Sequence, residues 1–175
     1  MTSVGRSQAV EFFASLVKPT AEEYLNDPLN LRRGRLAAIV LYHMADHAAL
    51  DGYAGNDRKT MDQLVEQLRA ELIDACPDFA LIRDIADASK HAILSVAKKA
   101  PRQVSTSKQV QRIAGAYMGA AYMTAPYNTG SAVMVTFDSG QTRPLSGIVR
   151  QVLMMWEAKM FPIGPFQPLI RAEST

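Results

Sequence analysis

The sequence predicts a mainly α protein, a helical bundle of five or six helices with a small β-hairpin before the last helix. Three observations carry that prediction. Apolar residues recur at three- and four-residue spacing over most of the chain, the mark of amphipathic helices. Strict alternation is confined to one stretch, Ala132 to Phe137, followed by the turn residues Asp138-Ser139-Gly140. Pro19, Pro28, Gly52, Pro77 and Gly140 fall between the periodic runs, where they punctuate the chain.

Taken in order, Val10, Phe13, Ala14 and Val17 make a first helical face over Ser7 to Val17. Pro19 is expected to stop it, and Thr20 with Glu22 and Glu23 to start a short second helix, since acids in a first turn suit the helix dipole. After the break at Asp27-Pro28, Asn30 is a plausible N-cap for a long helix that runs to about Asp51, with Gly52 as its stop. Leu36, Ile39, Val40, His43, His47 and Leu50 form one stripe along it, and Ala37, Leu41, Met44, Ala45 and Ala48 a second. A helix apolar on so much of its circumference is expected in the middle of a bundle. Leu64, Leu68 and Leu72 make the stripe of a helix from Thr60 to Ala75 that ends at Cys76-Pro77, because the residue before a proline avoids the helical region. Asp78 then caps a helix expected to reach Val96. Residues 101–130 give no clean period. A last helix covers Leu145 to Met160, with Trp156 as a core anchor.

At 175 residues the chain is one domain in length, and the reading divides it into a bundle over 1–160 and a Pro-containing tail over 161–175. Its 48% hydrophobic and 21% charged residues exclude wholesale disorder. The longest apolar run, Leu36 to Tyr42, is too short to cross a membrane. Glu11, Lys18 and Glu22 interrupt what could have been a secretory signal, and the one cysteine, Cys76, cannot form an internal disulfide, so a cytoplasmic location is expected.

Two features carry chemistry. The first is charge placement. From Ala88 to Phe137 there is no Asp or Glu, while Lys90, Lys98, Lys99, Arg102, Lys108 and Arg112 all fall there. Such a segment attracts polyanions, and Lys98, Lys99, Arg102, Lys108 and Arg112 are its candidate substrate-binding residues. The second is the clustering of the three histidines with aspartates. His43 and His47 lie four apart with Asp46 between them, within roughly 40° on a helix. Asp84, Asp87 and His91 fall within roughly 60° on the later helix. Facing each other, the two helices would offer His43, His47, Asp87 and His91 to a divalent transition metal, two ligands per helix as in bundle metal sites. A plainer arrangement has the same groups hydrogen-bonding one another and only fixing helix register. No Gly-x-Ser-x-Gly elbow and no phosphate-binding glycine loop is present, and Cys76 has no nearby histidine in sequence.

The segment "IRDIADASKHAIL", Ile82 to Leu94, resembles the "RDxANxxKH" helix of a group of bacterial helical proteins. In that group an earlier helix carries a buried aspartate, as in "LYHMADHAAL", and a hairpin precedes a Trp-containing helix, as in "VMVTFDSGQTRPLSGIVRQVLMMWEAKM". The chain is also similar to HEPN-type helical domains, whose ribonucleases carry an Arg and a His on a late helix. That resemblance implies an RNA- or nucleotide-directed site with Arg83, Lys90 and His91 as catalytic residues, and a homodimer pairing two such sites. Here seven residues separate Arg83 from His91, and Asp87 stands where the group shows Asn.

Overall fold

The computed structural model describes residues 7–91, 94, 101–113 and 131–162. Six helices account for most of these residues: α1 (Gln8–Phe12), α2 (Lys18–Asn26), α3 (Leu31–Ala49), α4 (Arg58–Ala75), α5 (Asp78–His91) and α6 (Leu145–Met160). A three-stranded antiparallel sheet, β1 (Val110–Ile113), β2 (Ala132–Thr136) and β3 (Thr142–Pro144), precedes α6.

Pro19 does not stop the first helix. Between α1 and α2 the residues Phe13–Val17 are π-helical, and the Lys18 N–H reaches back five residues to the Phe13 carbonyl. Proline has no N–H to give and its ring collides with the carbonyl four residues back. One wider turn just before Pro19 removes that collision, so the rod continues to Asn26. Phe13 and Val17, inside this stretch, are fully buried.

Asn30 caps α3 as its sequence suggests, its side chain accepting from the Arg33 N–H at 3.1 Å. Only one of its two stripes is core. Ala37, Leu41, Met44 and Ala45 are buried, whereas Leu36 and His47 are exposed and His43 half-buried. The stripe through Leu36 and His47 is only half covered, with Ile39, Val40 and Leu50 half-buried; Leu72 is the one buried residue of α4. Small residues on the buried face let neighbours approach closely. A Cβ on Gly34 would lie 2.8 Å from Leu145 Cδ2 and 3.0 Å from Tyr24 Cε2, so α2, α3 and α6 meet at a point where any larger residue would require those side chains to shift.

Trp156 is fully buried, and its indole N–H donates to the Leu41 carbonyl at 3.0 Å, tying α6 to α3. Phe79 packs edge-on against it at 6.1 Å, and Tyr42 lies beyond Phe79 at 5.9 Å. The expected hairpin is present. Its three-residue loop closes through the Phe137 N–H donating to the Gln141 carbonyl, and Gly140 supplies the required positive φ of 85°. A strand from the stretch without clear period, β1, extends it, with Val110 opposite Val135 and Ile113 opposite Ala132. Arg35 on α3 donates to the Ser107 and Val110 carbonyls, and Arg143 on β3 grips Asp78 at the start of α5 through two bonds of 2.7 and 2.8 Å. The helix expected to run to Val96 falls short of it: α5 is helical to His91, and Leu94 is already outside the helix, its N–H donating to the Ser105 carbonyl instead. Lys98, Lys99, most of 101–130 and the tail beyond Pro162 lie outside the described residues.

Tyr24 is fully buried, yet its hydroxyl has no hydrogen-bond partner among the described residues, and burial pushes the phenol far up from its ordinary value. Leaving a buried hydroxyl unpaired costs about 1–3 kcal/mol. Tyr24→Phe is expected to keep or raise stability, by up to about 1 kcal/mol, in urea denaturation. A loss larger than that would show that the hydroxyl has a partner.

Candidate functional site

α3 and α5 run side by side, and this pairing brings the polar clusters together. The residues that meet across it are His43 and Lys90, not two histidines. The Lys90 amine touches His43 Nε2. An ammonium has only protons to offer, so Nε2 is the acceptor and His43 is the neutral tautomer protonated on Nδ1. That proton points at Asp46, whose Oδ2 lies 2.9 Å away. Asp46 is in turn fixed from α4: Arg69 Nη2 donates to its Oδ1 at 2.8 Å, and Arg69 Nη1 donates to Glu66 Oε1 at 2.9 Å. The Arg69 guanidinium also lies over the Tyr42 ring, 4.5 Å from its centre. Burial, with the Asp87 charge adding to it, raises the Tyr42 phenol, so that ring stays neutral. A line of polar groups thus runs Lys90, His43, Asp46, Arg69, Glu66 over three helices. Its outer end is open: Lys90 is exposed and the His43 side chain is 37% exposed.

A second cluster surrounds Asp84, the one charged residue that is completely buried among the described residues. Its Oδ1 accepts from Arg83 Nε at 2.9 Å, and its Oδ2 from the backbone N–H of Gln103 at 2.7 Å and of Val104 at 3.4 Å. Arg102 Nη1 lies 3.6 Å from the same carboxylate and donates to Asp87 Oδ2 at 3.0 Å. Arg83 further donates to the Pro101 carbonyl. Charges taken out of water persist only when paired and hydrogen-bonded, and here the bonds from Arg102, Gln103 and Val104, with Arg83 to the Pro101 carbonyl, pin residues 101–104 on α5.

Of the residues named from the sequence, then, Arg83 and Arg102 have their guanidiniums engaged within the chain, with side chains 15% and 20% exposed. Lys90 and His91 are exposed on the last turn of α5, and Lys108 and Arg112 are exposed beside and on β1. His47 turns away from α5 and stacks on Phe12, ring centres 3.6 Å apart. Asp87 is occupied by Arg102. The four metal candidates are not gathered: among the described residues no three His, Cys, Asp or Glu side chains are placed to hold a metal ion. Cys76 is half-buried, and burial raises its thiol away from the reactive thiolate. The His43-x-x-Asp46 spacing signals their pairing in the sequence, since residues three apart on a helix are neighbours. Nothing in the sequence marks Arg69 or Tyr42.

Comparison with protein-family models, with curated proteins and with solved structures returned no match to this chain.

Asp84→Asn removes the charge that balances Arg83 and Arg102. Breaking a buried pair from one side costs about 3–5 kcal/mol, and a loss of that order is expected in urea denaturation. Brief trypsin treatment should at the same time open cleavage after Arg102. Unchanged stability together with an uncut Arg102 would mean that Asp84 does not hold the segment.

Proposed function

We propose that the chain acts on a phosphodiester, in RNA or a nucleotide, at an acid–base site centred on His43 and Lys90. The observation that carries this reading is the Lys90–His43–Asp46 line: a carboxylate orients an imidazole, and the imidazole's free nitrogen lies at the surface against a cation. His43 Nε2 is the base for a ribose 2′-hydroxyl. A bound phosphate draws the Lys90 ammonium onto its oxygens, which frees Nε2 and places a cation where charge develops. Asp46 stabilises the imidazolium that forms, and Arg69 keeps Asp46 in place. Arg83, which the HEPN resemblance puts in contact with substrate, is instead a positioning residue here, because its guanidinium is committed to Asp84 and Pro101.

An extended substrate belongs to this reading, with the exposed cations Lys108 and Arg112, beside and on β1, as its candidate backbone contacts. A homodimer pairing two such sites belongs to this proposal through the HEPN resemblance alone.

A labelled single-stranded RNA and the DNA of the same sequence test the reading. RNA cleavage is expected and DNA cleavage is not, because DNA lacks the 2′-hydroxyl. His43→Gln should lower the rate by about 10²–10⁴-fold. Lys90→Ala should weaken binding and reduce its salt dependence. Failure to bind or cut RNA, or a His43→Gln protein as active as the parent, overturns it.

A further inference from the structure

The same line of groups bears on the reactivity of Lys90 itself, whether or not the site works on RNA. A lysine ammonium is no nucleophile; it must first lose a proton, and near neutral pH an ordinary lysine amine is almost wholly protonated. For the fraction of amine that is free, an imidazole hydrogen-bonded to the nitrogen acts as general base and takes a proton as the nitrogen attacks. We propose that Lys90 is an acylation site of this protein, taking acyl groups from acyl phosphates or thioesters ahead of the other described lysines.

The geometry supplies each requirement. The amine is in contact with a ring nitrogen that must be an acceptor, since Nδ1 carries its proton toward Asp46. Asp46 favours the imidazolium that results, and the Arg69–Glu66 pair keeps Asp46 from swinging away. The side chain is exposed at the end of α5, so an acyl donor can reach it. In the reaction the Lys90 Nζ–C bond forms and the donor's C–O or C–S bond breaks. Two protons leave the ammonium: one is lost to water to free the amine, and the other passes from Nζ through His43 Nε2 to the departing phosphate or thiolate as the amide forms. The product is a neutral amide, and nothing is oxidised or reduced.

The other lysines provide the contrast. Lys18 is held at 2.7 Å by Glu157 and at 3.7 Å by Glu22, and these carboxylates raise its pKa and keep the proton on. Lys59, Lys108 and Lys159 have no imidazole at their amines among the described residues. Acylation of Lys90 would cancel the cation beside His43 and leave a single neutral amide N–H in its place, so the modification would alter the polar surface at that one point.

The experiment is per-lysine kinetics. The folded protein is treated with acetyl phosphate at pH 7.5 to low occupancy, digested, and each lysine's acetylation rate is read by mass spectrometry. Lys90 is expected to react at least about tenfold faster than Lys59, Lys108 and Lys159, a modest share of what general bases achieve, with Lys18 slowest. His43→Gln and Asp46→Asn should each bring Lys90 down to the rate of the other exposed lysines and leave theirs unchanged. Lys18 reports on folding, because it stays slow only while Glu157 faces it. Unfolding in urea should erase all differences. Equal rates at Lys90, Lys59 and Lys108 in the folded protein overturn the proposal. So does a fast Lys90 in a folded His43→Gln protein. No RNA enters the assay, so its result is separate from that of the cleavage test.

Discussion

Asp84 is the constraint on which the polar half of this protein depends. A carboxylate with no exposure to water is tolerated only if its oxygens are filled, and here two backbone N–H groups and two arginines do so. Three of those donors belong to one segment, Arg102 to Val104, so satisfying the charge and anchoring the segment are the same event. Val104 is buried as a result, Ser105 receives the Leu94 N–H, and the chain enters β1 from a fixed starting point. The sheet then returns through Arg143 to Asp78, at the other end of α5. A single helix thus fixes both the entry to the sheet and its exit.

That division of labour explains why two clusters on adjacent helix turns have different characters. Around Asp84 both arginines are engaged and the side chains are largely covered. One to two turns further on, His43 and Lys90 meet at an open edge, with Lys90 exposed and His43 half-buried. The closed cluster gives the open one its rigidity, because α5 cannot rotate without breaking the contacts to residues 101–104. A catalytic or nucleophilic group needs such support more than it needs burial.

Much of the fold was legible because it rests on local chemistry. The Asn30 cap, the Gly140 turn, the limits of α6 and the burial of Trp156 each follow from a residue type at a fixed offset. Pro19 misled because its effect is local only in part: the rule that it ends a helix holds for α-helical bonding, and a wider turn evades it. The third strand was hidden because Val110 to Ile113 offers one buried residue followed by three exposed ones, which is no alternation at all. At the site, two histidines four apart suggested a shared ligand, and the structure separates them by giving each a different neighbour. His47 goes to Phe12 on the N-terminal helix and His43 to Lys90 on α5. Periodicity orders residues around one helix, but it does not say which neighbouring helix each sector meets.

The π-helical stretch at Phe13–Val17 makes the chain tolerant of a change in length at one place. A turn of this kind holds one residue more than an α-helix needs for the same rise. It therefore sets the phase between α1 on one side and α2 on the other. Phe12 is directed at His47 and Phe13 into the core at the start of the stretch, while Ala21 and Tyr24 face the core beyond its end. Elsewhere in a helix, removing one residue turns everything beyond it by about 100° and misaligns one of its ends. Between Phe13 and Lys18 a deletion converts the wide turn to an ordinary one and leaves both phases standing. This is the place in the bundle where the gene can lose a codon with least disturbance to the packing, provided that position 19 ceases to be proline.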